Sequence, residues 1–129
     1  MEDSLQKYLL TGIGGFLGAI ARLWVGTFIL NRFGARFPYG TFVINMSGCL
    51  VIGVALTILN ERLNLNPAWR YLLPIGFVGA YTTFSSFEYE AFSGYQSGGW
   101  QIPLLYVTSS VVVGFLCVWI GVAIGKLFA

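Results

Sequence analysis

The 129-residue chain has no histidine, only two cysteines and only 9% charged residues. Without histidine it lacks the commonest transition-metal ligand and the side chain best suited to proton transfer near neutral pH. Cys49 and Cys117 fall inside apolar stretches, where a thiol behaves as a small apolar group, and their spacing fits no metal pattern. There is no Gly-rich phosphate loop, no nucleophile paired with a base and no nucleotide motif, which argues against an enzyme and against ATP-driven work. No basic cluster lies outside the apolar stretches, so a net charge of +2 gives no reason to expect nucleic acid as a partner. A soluble domain carries roughly 25% charged residues. With 57% apolar residues against 9% charged, this chain is built for lipid.

What is present is hydrophobic length. A membrane helix needs ~20 mostly apolar residues, and stretches of that size run over about 8–30, 40–59, 71–92 and 102–127. The expected fold is an all-α integral membrane protein of four transmembrane helices, one domain over 1–129, with both termini on one side. The connections, near 31–39, 60–70 and 93–101, are too short to fold alone. The first stretch is too long, and its Met-Glu-Asp start too acidic, for a cleaved signal with a basic head, so it is expected to be retained. Lys7, Arg62, Arg70 and Lys126 fall on the side of the termini and second loop, against Arg32 and Arg36 on the other. Basic excess in short loops sets orientation, and four against two orients the chain weakly, leaving dual topology open.

The third stretch is broken by the polar run Gly79-Ala80-Tyr81-Thr82-Thr83-Phe84-Ser85-Ser86-Phe87. Backbone at membrane depth cannot leave N–H and C=O groups unpaired in lipid, so such a break must line a cavity or be buried against protein. The expected opening, Gly79 to Thr83, exposes carbonyls that suit a hard cation. Phe84 and Phe87 lie three apart, on one face of the helix that follows. They are either packing residues or rings whose electropositive edges meet an anion. Thr41 and Asn45 share a face of the second stretch, and Tyr106 and Ser110 a face of the fourth, with Thr108 and Ser109 beside them. Such stripes serve as interhelical glue or as neutral donors for an ion in transit, which a fixed charge would risk trapping.

Gly14, Gly18 and Arg22 recur four apart, and Gly114, Gly121 and Gly125 form a similar strip, as close helix packing requires. Arg22 either snorkels and hydrogen-bonds structurally or lies in a charged vestibule. Glu88 and Glu90 mark a helix end reaching interfacial water, with Glu88 the candidate acceptor for the polar stripe.

The run from Gly79 to Phe87 resembles the GxxTTFSxF signature of the Fluc (CrcB-type) fluoride channels. The segment Gly40-Thr41-Phe42-Val43-Ile44-Asn45 and the Gly-rich stretch ending at Arg22 fit the same family, in length, span count and motif order. The resemblance implies an antiparallel, dual-topology homodimer in the bacterial cell (inner) membrane, with two fluoride pores at its interface. It also implies a central Na⁺ held by backbone carbonyls of both broken helices. By motif position, Asn45, Phe84 and Phe87 resemble the pore lining, Tyr106 and Ser110 the polar track, and Gly79 and Thr82 the sodium-coordinating carbonyl donors. Thr41 and Ser85 join the expected pore, and Arg22 and Glu88 a vestibule or structural role. Ala80 departs from a second glycine common in the motif, and Val112 and Gly114 stand where further hydroxyls can occur, which implies a shorter track.

The implied partners are fluoride, a second copy of the chain and lipid. A small dual-topology multidrug exporter has similar size but needs an intramembrane carboxylate, and no acid lies in the first two stretches. A noncatalytic assembly protein would use the glycine strips and leave the break unexplained.

Overall fold

The computed structural model describes residues 2–62 and 64–129; Met1 of the acidic start and Leu63 of the second loop lie outside the described residues. All the regular structure among them is helical, as expected where every backbone group must be satisfied within its own segment. Helix α1, Glu2–Phe33, has 32 residues. At 1.5 Å per residue its length of about 48 Å exceeds a hydrocarbon core of roughly 30 Å, so its ends reach the headgroup level. It stops at Gly34, whose φ of +75° suits glycine and whose N–H donates to the Leu30 carbonyl at 2.9 Å. After Pro38 the chain turns back as α2, Tyr39–Glu61.

The third predicted span is not a continuous helix. It opens as a π-helix, Tyr71–Val78, containing Pro74, and passes into a single α-turn, α3, Gly79–Tyr81. Proline has no N–H to give, and its ring crowds the carbonyl four residues back; a wider i→i+5 turn accommodates both. Thr82 is extended (φ −80°, ψ 159°), and α4, Ser85–Gly98, begins three residues later. The break therefore falls at 82–84 and not over the expected Gly79 to Thr83, because Gly79, Ala80 and Tyr81 keep their helical hydrogen bonding. Helix α4 also runs through most of the predicted third loop and ends at Gly99, with φ +91° and its N–H on the Tyr95 carbonyl. The connection is only Gly99-Trp100. Helix α5, Gln101–Phe128, tolerates Pro103 because the first turn needs no N–H there.

Three helices, α1, α2 and α5, are long and apolar enough to cross a membrane, and the chain is an all-α, multi-pass membrane protein. Large apolar side chains such as Trp24, Phe28, Phe115 and Trp119 face outward, as lipid allows. The interior is held together by close backbone approach. A β-carbon on Gly53 would sit 2.5 Å from the Val118 carbonyl, and one on Gly125 would sit 2.7 Å from the Thr57 side chain. Gly114 likewise meets Met46 and Cys49. The contact positions rise together along both helices, so α2 and α5 run parallel. Gly14 and Gly18 do the same for α1 against the π-helix, where any side chain would strike the Leu72 and Phe77 carbonyls. The two glycine strips are thus spent on packing within one chain.

Candidate functional site

Helix α2 holds the break. The Asn45 amide donates from Nδ2 to the Thr83 carbonyl at 3.0 Å and accepts the Thr83 N–H on Oδ1 at 2.9 Å, acting as a one-residue substitute for the missing helical ladder. One turn on, Gly48 leaves room for the Thr82 methyl group, which any β-carbon there would strike. The Thr83 hydroxyl accepts the Ser86 N–H at 3.2 Å, satisfying one of the open donors at the start of α4. In an unbroken helix the N–H groups of residues 83 and 86 would donate to the carbonyls of residues 79 and 82. Here both N–H groups are diverted to side chains, so Gly79 and Thr82 lose those donors.

Below the break lies a cavity of about 350 Å³ lined by Asn45, Cys49, Thr82, Phe84, Phe87 and Ser110, among others. The Phe84 and Phe87 rings stand 6.0 Å apart, tilted at 49°. They differ in setting: Phe84 is 74% exposed and Phe87 only 7%. The Phe87 ring meets that of Tyr106 edge to face, centroids 5.0 Å apart. Ser110 Oγ is buried and has no hydrogen-bond partner. An unmet buried hydroxyl costs about 1–3 kcal/mol, so its presence here is chemically informative.

A larger groove of about 980 Å³, sharing Thr83 with the cavity, carries Arg22, Thr41, Ser86, Glu90 and Tyr106. Thr41 Oγ1 donates to Glu90 Oε1 at 2.7 Å and Tyr106 OH to Glu90 Oε2 at 2.8 Å. Two neutral donors on one carboxylate make charge-assisted bonds, stronger than neutral pairs. They tie α2, α4 and α5 at one point.

Residues 9–122 match the family described as CrcB-like protein, Camphor Resistance (CrcB). The chain belongs to the CrcB-like family. Curated relatives share it over nearly the full length. The fluoride-specific ion channel FluC of Acidobacterium capsulatum is 53% identical over 94% of this chain and 97% of its own. That of Solibacter usitatus is 50% identical over 94% and 99%, and that of Chloroflexus aurantiacus 43% over 96% and 98%.

Within this CrcB-like fold, the predicted residues divide into three groups. Asn45, Thr82, Phe84, Phe87 and Ser110 meet at the cavity. Thr41, Tyr106 and Arg22 lie on the groove, so the Tyr106–Ser110 stripe spans the two compartments. Ser85, Gly79 and Glu88 are exposed and line neither. Arg22 is half-buried and makes no side-chain hydrogen bond among the described residues.

Two expectations are corrected. Thr41 does not orient Asn45; its hydroxyl goes to Glu90, and the Thr83 backbone orients the amide instead. Glu88 accepts nothing from the polar stripe; Glu90, read from the sequence only as a helix end, takes that place. The signal for Glu90 lay in its position three residues after Phe87, which puts it beside the buried face of α4.

Proposed function

We propose that this CrcB-like protein is a passive, fluoride-selective channel of the bacterial cell (inner) membrane, working as an antiparallel, dual-topology homodimer of four-span subunits. The observation that carries the reading is the cavity in which the unpartnered Ser110 hydroxyl, the Asn45 amide and the Phe84 and Phe87 rings converge. Every group there offers a donor or a positive ring edge and none carries a formal charge, which suits an anion that must bind and leave. The FluC relatives are named for fluoride. Electrical driving force suffices, at about 2.3 kcal/mol per charge per 100 mV.

The exposed Phe84, Ser85 and Gly79 belong to the face that the second copy covers. The carbonyls of Gly79 and Thr82 fit a hard cation such as Na⁺, since both lose their helical donors at the break and oxygen ligands without charge suit a monovalent ion. Among the described residues no group of three or more acidic, cysteine or histidine side chains is placed to hold a metal, so a cation here would rely on backbone. Bound there, Na⁺ would join the two breaks electrostatically. Thr41 and Tyr106 hold Glu90 at the mouth of the path, and Arg22 lies in the groove leading to it.

The test is fluoride efflux from liposomes under a K⁺ gradient with valinomycin, read with a fluoride electrode. Efflux that stalls without valinomycin, with chloride retained, is expected. No efflux from folded protein, or efflux that requires a proton gradient, sinks the channel reading and favours an assembly protein or an exporter respectively.

A further inference from the structure

The Asn45 amide is not the only tie between α2 and the break. Tyr81, the last residue of α3, is 9% exposed and stacks on Phe77 with centroids 5.7 Å apart and planes within 14°. Its hydroxyl lies 2.8 Å from Ser47 Oγ. Ser47 Oγ is also 2.7 Å from the Val43 carbonyl and 3.0 Å from that of Ile44. A serine has one hydroxyl hydrogen, and carbonyls can only accept. The Ser47 proton therefore goes to its own helix, and Tyr81 must be the donor in the bond to Ser47. That fixes both the ring and the direction of its O–H.

Helix α2 thus grips three successive residues: Tyr81 through Ser47, Thr82 through the close fit at Gly48, and Thr83 through Asn45. Tyr81 stands two residues after Gly79 and one before Thr82, between the two carbonyls released by the break. Unlike Asn45, neither Tyr81 nor Ser47 lines the cavity or the groove. The pair can act on the backbone without touching the path of an anion.

We propose that Tyr81 is a positioning residue for the carbonyl pair of Gly79 and Thr82, acting through its hydrogen bond to Ser47, and that this tie sets how tightly the pair holds Na⁺. It rests on the cation reading above. Backbone ligands keep their aim only if the segment carrying them cannot rotate, and losing an outer partner of a metal ligand typically costs 10- to 100-fold in affinity. One hydrogen bond to a backbone segment belongs at the low end.

The protein, purified with N-methylglucamine in place of Na⁺, is titrated with NaCl while thermal unfolding and fluoride efflux from liposomes are followed. A ligand that binds only the folded state raises the unfolding midpoint with its concentration. Tyr81→Phe and Ser47→Ala should each raise the half-saturating Na⁺ by roughly tenfold, and the double variant should add little to either. The dependence of efflux on fluoride concentration should stay that of the parent. If Tyr81→Phe lowers the midpoint by the same amount at every Na⁺ concentration and leaves half-saturation in place, the tyrosine is packing only and the proposal is overturned. If the parent itself ignores Na⁺ in both readouts, the cation reading fails first and takes the proposal with it. Should Tyr81→Phe not fold, Ser47→Ala removes the same bond from the other side and decides the matter alone.

Discussion

Replacing Asn45 by aspartate changes one amide nitrogen into an oxygen and alters two things at once. The Nδ2 donation to the Thr83 carbonyl is lost while the acceptor for the Thr83 N–H is kept, so the break stays tied by one bond of two. A buried carbonyl left without its donor costs about 1–3 kcal/mol, which a folded membrane protein can survive. The larger effect is electrostatic. A carboxylate about 4 Å from a fluoride ion, at an effective dielectric constant of about 20, repels it by about 4 kcal/mol. At 1.36 kcal/mol per tenfold, that is about three decades of conduction. The measurement is electrogenic fluoride efflux at neutral pH, with Asn45→Leu as the uncharged control that loses the donor and adds no repulsion. Asn45→Leu should retain more flux than Asn45→Asp, and acidification should restore the aspartate variant as its carboxyl takes up a proton. A folded Asn45→Asp channel carrying a tenth or more of the parent flux at neutral pH would show that the anion does not pass this side chain.

The two phenylalanines should separate in stability and agree in flux. Phe84→Ile and Phe87→Ile each remove a ring edge and should lower fluoride efflux strongly, but only Phe87→Ile, which loses the contact with Tyr106, should lower the thermal midpoint; unchanged efflux in both would make the rings packing residues. Glu90→Gln replaces an acceptor oxygen by an NH₂ group and strands the hydroxyl of Thr41 or Tyr106, costing about 1–3 kcal/mol in unfolding measurements. Glu88→Gln, at an exposed and unbonded carboxylate, should change neither stability nor the indifference of flux to a proton gradient. In a Cys49→Ala, Cys117→Ala background, Ser97→Cys on the exposed face of α4 should be labelled from both sides of sealed vesicles, and labelling from one side only would refute dual topology.

The parts of the molecule that sequence reading located best are those dictated by local composition. The apolar lengths of α1, α2 and α5 and the position of the polar run all follow from residues adjacent in the chain. Asn45, Phe87 and Ser110 were correctly grouped because helical spacing and the motif bear on them together. What remained hidden depends on partners distant in sequence. The Glu90 carboxylate bonds to residues 49 and 16 positions away, and no spacing rule relates three separate elements. The break was placed too early for a related reason. Glycine and alanine suggested where the helix weakens, whereas its actual end is set by which N–H groups α2 and Thr83 draw off. The π-helix also escaped notice, although Pro74 within an apolar run was a sign that an ordinary ladder would fail there.

That π-helix acts as a length gauge. An α-helix turns about 100° and advances 1.5 Å for each residue, so deleting one residue between Tyr71 and Val78 would invite the segment to close into α geometry. Everything after it would then swing by that angle. Thr83 would leave Asn45, Tyr81 would leave Ser47, and the two phenylalanines would turn from the cavity, although no functional side chain had been altered. A single-residue deletion in the second loop, between Asn64 and Ala68, could be taken up by chain outside the helices. The count of residues between Arg70 and Gly79 is therefore as much a part of the site as the chemistry of Asn45 or Ser110, and length variation in this protein should be tolerated on one side of Arg70 and lethal to conduction on the other.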